Sequence, residues 1–140
     1  MSVYDDLEGA DRRSWSDATS SLTLIRVPPR VSIIRPEGRA GEGAAAFWKQ
    51  HDDWLVCDDM LVFFDAEALS FAGSSFISQG SSMTLDARPR MTDYHVLIAN
   101  VMIEMIAKTI NLSMGGFMTI HRARPSFDAA LADALALQSV

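Results

Sequence analysis

MLVFFDAEALSFAGSSFISQGSS, residues 60–82, decides how this chain folds. Leu61-Val62-Phe63-Phe64 is an unbroken run of β-favouring apolar residues, the pattern of a strand covered on both faces in the middle of a sheet. Asp65 ends it. After Ala66-Glu67-Ala68, the triplet Leu69-Ser70-Phe71 makes a short apolar return to the core, and Ala72-Gly73-Ser74-Ser75-Phe76-Ile77 reads as a strand-to-helix turn. A serine at the N-cap accepts a hydrogen bond from a free backbone N–H of the first helical turn, so Ser74 or Ser75 is expected exposed at a helix N-terminus. The positive end of the helix dipole favours a phosphate there.

Working outward, residues 42–56 (EGAAAFWKQHDDWLV) put Phe47, Trp48, Trp54 and Leu55 on one side of a helix and Lys49, Gln50, Asp52 and Asp53 largely on the other. Upstream, residues 22–27 and 30–35 read as a hairpin turning at Pro28-Pro29, broken by Pro36-Glu37-Gly38. Residues 1–20 are polar without apolar periodicity, a flexible tail that is loose or docks only through Tyr4 and Trp15 and is dispensable for folding; residues 21–140 form the domain. Downstream, a helix from Ser75 to about Leu85 gives way to an irregular connection at Pro89. Residues 94–99 form a strand and residues 101–112 a helix with Glu104 and Lys108 at ion-pair spacing. Gly115-Gly116 stops that helix, residues 117–121 make a short strand, and Ser126 caps a last helix from Phe127. Strands alternating with helices predict an α/β fold, a mostly parallel or mixed sheet of about five strands with four helices.

The 140 residues suffice for one core. A net charge of −6, with ten arginines and two lysines scattered, argues against nucleic acid or an anionic membrane as the main partner. Lone Cys57 excludes an internal disulfide and fits a reducing compartment. The opening MSVYDDLEGADRRSW lacks the apolar segment of a signal peptide, and no apolar run approaches a membrane span, so a soluble cytoplasmic protein is expected.

These residues, over 22–137, are similar to the STAS domain, the family named for sulfate transporters and anti-sigma-factor antagonists. Residues 31–38 resemble its second strand, Val62-Phe63-Phe64-Asp65 its central strand, and Leu69 to Ser75 its serine loop. Val96 to Asn100 with Ile103, Ile106 and Leu112 resemble its fourth strand and third helix, and Phe127-Asp128-Ala129-Ala130-Leu131 its last helix. The resemblance implies a non-enzymatic regulatory module that binds another protein through Ala72, Gly73, Ser74, Ser75, Phe76 and Gln79. It further implies Ser74, with Ser75 beside it, as the acceptor of a phosphate from an anti-sigma-factor kinase, or else an accessory role on the cytoplasmic side of an ABC-type lipid transporter. Gly73 stands where the family has Asp, and Phe76 where it has Gly. Losing that Asp removes a charge beside the hydroxyl, and Phe76 is expected to make the surface more apolar.

Other chemistry is sparse. Ser74 and Ser75 equally suit plain helix capping. A catalytic Ser74 needs a base, and His51, His95 and His121 have no motif linking them to it. His51, Asp52, Asp53, Cys57, Asp58 and Asp59 match no zinc or calcium spacing, and no glycine-rich phosphate loop is present, so neither metal nor cofactor is expected. Met102, Met105, Met114 and Met118 suit either an adaptable partner face or core filling. The alternative from another class is a small ligand-binding or enzymatic domain with a pocket at the carboxyl ends of the strands, near Ser74 and Asn100.

Overall fold

The computed structural model describes residues 3–138. After a 3-10 turn (Val3–Asp6) the chain runs through β1 (Asp11–Ser16), β2 (Ser20–Val27), β3 (Val31–Ala40), α1 (Glu42–Leu55), β4 (Met60–Asp65), β5 (Leu69–Ala72) and α2 (Ser74–Ala87). A second 3-10 turn (Arg88–Arg90) leads to β6 (Met91–Leu97), α3 (Val101–Ser113), β7 (Thr119–His121) and α4 (Arg124–Gln138). The fold is α/β, with four α-helices on a mixed sheet of seven strands in the order β1-β2-β3-β4-β6-β7, β5 pairing with β3. The first two pairings are antiparallel and the rest parallel.

Seven strands replace the expected five because β1 and β5 join the sheet. β1, DRRSWS, comes from the segment read as a loose tail; its side chains carry no alternation, and it is held by backbone pairing along β2. Tyr4 is buried, and Trp15 lies so close to Gly43 that a Cβ there would meet its ring at 2.4 Å. The strand expected to break at Pro36 runs on to Ala40, because on the side away from β2 it changes partner there. Val31 to Ile34 pair with β4 and Gly38 to Ala40 with β5, so Pro36 falls in the gap where no neighbour needs its missing N–H. Gly38, with φ +77°, carries the resulting irregularity, and a Cβ on it would lie 2.3 Å from the Thr19 carbonyl oxygen.

β4 is apolar throughout because both faces are covered. Val62, with Leu24, Ile34 and Val96, faces α1, α2 and α3 through Trp48, Leu55, Phe76, Met83 and Ile103. Leu61 and Phe63, with Ile25, Ile33 and Leu97, face α4 and the N-terminal turn through Phe127, Leu131 and Tyr4. At the carboxyl end of β4, Asp65 is 2% exposed. It accepts hydrogen bonds from the Tyr4 hydroxyl at 2.5 Å, from Arg124 Nη2 at 2.5 Å and from the Glu67 N–H at 3.1 Å. Arg124 also reaches Glu67 at 3.0 Å and Asp128 at 2.9 Å. Burial, then the Asp65 bond, push the Tyr4 phenol well above its ordinary range. This network draws the start of α4 back to Arg124, with Pro125 in the first turn where its missing N–H costs nothing. Ser126 is therefore inside α4 rather than its cap, and its hydroxyl donates to the Ala123 carbonyl at 3.0 Å.

Candidate functional site

β5 brings the chain alongside the end of β3, where the Gly73 N–H donates to the Ala40 carbonyl at 2.8 Å. α2 begins at the next residue. Gly73 is the N-cap and offers no side-chain bond, so neither serine caps the helix as the turn chemistry suggested. A Cβ on Gly73 would sit 3.4 Å from the Ala40 oxygen, within ordinary contact distance. Ser74 is exposed and Ser75 half-buried, and among the described residues neither hydroxyl has a hydrogen-bond partner.

Ser74, Ser78 and Ser82 follow at four-residue spacing and stay exposed, while Ser75 and Gln79 flank them at half-exposed positions. With Ala45, Ala46 and Lys49 of α1 these residues line an open groove between the two helices. Two of the six residues expected on a contact surface are inside: Ala72 is 7% exposed and Phe76 3%. Phe76 packs against Trp48 with ring centroids 5.5 Å apart and the planes tilted, so it anchors α2 to the core and leaves the surface polar, the reverse of the expectation. Asn100 is also engaged, accepting from the Ile103 N–H at 2.9 Å as the cap of α3 and donating to the Leu69 carbonyl at 3.0 Å.

The histidines divide. His51 bonds to Arg13 at 2.9 Å, away from the corner. His95 and His121 lie on neighbouring parallel strands with His95 Nδ1 2.9 Å from His121 Nε2, and His121 Nδ1 is 2.9 Å from Ser126 Oγ. His95 Nε2 stands 4.0 Å from Asp93. This row of serine, two histidines and a carboxylate has no local spacing to reveal it, since parallel pairing of distant strands creates it. With the Ser126 proton directed to the Ala123 carbonyl, its oxygen accepts from His121, so the hydroxyl ties β7 to α4. Burial lowers the pKa of both histidines, favouring the neutral form of each.

Cys57 is half-buried, its thiol pushed up by burial, and its sulfur lies 3.6 Å from the Pro29 carbonyl oxygen. Asp58 pairs with Arg90 at 2.8 Å. Among the described residues no group of three or more His, Cys, Asp or Glu side chains is placed to hold a metal ion. The methionines split: Met114 and Met118 are buried, whereas Met102 and Met105 are exposed on α3. No helix among the described residues is long and apolar enough to cross a membrane. No family model, curated protein or solved structure matches the chain.

Proposed function

We propose that the chain is a non-enzymatic, cytoplasmic regulatory module of STAS type that binds another protein through the corner where β5 passes into α2. The observation that carries the reading is the Ser74 hydroxyl, exposed and without a partner among the described residues at the first position of a fourteen-residue helix. Its backing is rigid: β5 is paired to β3, Gly73 is bonded to Ala40, and Phe76 is buried against Trp48. A phosphate on Ser74 would bring about two negative charges to the positive end of α2 and change any partner surface covering it. The partner class is an anti-sigma-factor kinase. Incubation of the full chain with an anti-sigma-factor serine kinase and ATP should place one phosphate on Ser74, lost in Ser74→Ala, while Ser74→Arg should abolish co-purification of that kinase. Co-purification that Ser74→Arg leaves intact would show that the corner is not the contact surface.

A further inference from the structure

Where α4 crosses β4 and β6, an open groove of about 250 Å³ is lined by Leu61 of the sheet and by Ala130, Ala134 and Leu137 of the helix. The two alanines leave the space. Three groups able to accept a hydrogen bond share it: Asp93 and His95, two residues apart on β6 and so on one face of the sheet, and Asp133 of α4. Among the described residues neither carboxylate is paired with an arginine or a lysine.

A chain of hydrogen bonds fixes which nitrogen of His95 carries its proton. Ser126 gives its one proton to the Ala123 carbonyl, so the 2.9 Å bond between its oxygen and His121 Nδ1 draws its proton from the ring. A neutral His121 protonated at Nδ1 has a lone pair on Nε2, and His95 Nδ1, 2.9 Å away, donates to it. Burial favours the neutral form of both rings, and neutral His95 has then spent its only N–H. Its Nε2 is left as an acceptor beside another acceptor, the Asp93 carboxylate, 4.0 Å away and beyond hydrogen-bond distance. The pair is open to solvent, with 15% of the His95 side chain and 59% of the Asp93 side chain exposed. Two neighbouring acceptors with no donor between them are complemented by an ammonium, which brings three N–H groups and the opposite charge.

We propose that this groove binds a primary alkylammonium, its head donating to His95 Nε2 and Asp93 and its stem lying on Ala130, Ala134 and Leu137. Room is ample for a short stem, since a cavity of roughly 150 Å³ already holds a benzene ring. The site stands independently of the Ser74 corner. n-Butylammonium tests it on the full chain at pH 8, above the ordinary imidazole pKa of about 6.5 and below the amine value of about 10.4. In 15N NMR, His95 Nε2 should carry no proton before ligand is added, and butylammonium should shift it saturably at one molecule per chain. 1-Butanol, with the same stem and no charge, should bind at least about tenfold more weakly. His95→Phe keeps an aromatic ring against Phe63 and, followed through the Leu137 methyl groups, should weaken butylammonium about tenfold. Asp93→Asn, at a mostly exposed position that keeps the variant folded, should weaken it about threefold. Asp133→Lys, also at an exposed position, should abolish binding by setting a cation at the groove. A proton on His95 Nε2 at pH 8, no saturable shift in the unaltered chain, or binding that survives Asp133→Lys overturns the site. An affinity left unchanged by Asp93→Asn, or by a folded His95→Phe, overturns the assigned contacts of the head group.

Discussion

On one face of the sheet, α1, α2 and α3 pack Trp48, Phe76, Met83 and Ile103 by apolar contact, with a cavity left among them. On the other, α4 and the N-terminal turn are held by directed bonds: Tyr4, Asp65 and Arg124 at one point, His95, His121 and Ser126 at another. Apolar contact is non-directional, whereas a buried charge network holds only if every partner is present. The helix that carries the exposed serines thus packs on the apolar side, anchored by Phe76 against Trp48, while the N-terminal turn and α4 are held by the directed bonds of the other.

The largest way to break this contrast is Arg124→Met. It leaves Asp65 buried without its cation and should cost about 3–5 kcal/mol in urea unfolding monitored by fluorescence. A loss under about 1 kcal/mol would mean that the network is ornamental and the two faces are held alike. Gly80→Ala acts on the other face in the opposite direction. The added methyl meets the Trp48 ring at ordinary contact distance and removes backbone freedom from the unfolded chain, so stability should rise by about 0.5–1 kcal/mol. Destabilisation there would show the α2 face to be as tightly fitted as the α4 face.

The smallest effect concerns pH. Burial lowers the pKa of both His95 and His121, and for His121 the neighbouring His95 adds to it; Asp93 works weakly the other way on His95. As pH falls below the ordinary imidazole value of about 6.5, the unfolded chain takes up protons that the folded one resists, so the stability present above that value is progressively lost. Charging both rings also sets two N–H groups against each other across 2.9 Å. His121→Gln should flatten the loss of stability as the pH falls below about 6.5 relative to the unaltered chain, while leaving carboxylate-driven losses at lower pH in place. An unchanged slope would show that the pair does not contribute.

What the sequence revealed follows the same division. β4 was legible because burial on both faces writes itself as MLVFF, and α3 because its apolar spacing and its glycine stop agree, whereas its Asn100 cap was not read. β1 was not, since an edge strand held by its backbone needs no side-chain pattern. The position of Ser74 could be read from turn chemistry, but the inward direction of Phe76 was missed although Met83 and Ala87 follow it at seven and eleven residues, the spacing of one helix face. Partners in the Asp65 network lie 61 and 59 residues away, and the paired histidines 26 apart, separations that no local pattern encodes.

The bond from Asp65 to Arg124 has a consequence for biosynthesis. A polypeptide leaves the ribosome from its amino end, so β4 emerges well before the guanidinium that neutralises its last residue, and Phe63 and Leu97 wait uncovered for Phe127. A transcript cut short ahead of Arg124 should therefore yield a substrate for chaperones and proteases rather than a smaller working domain.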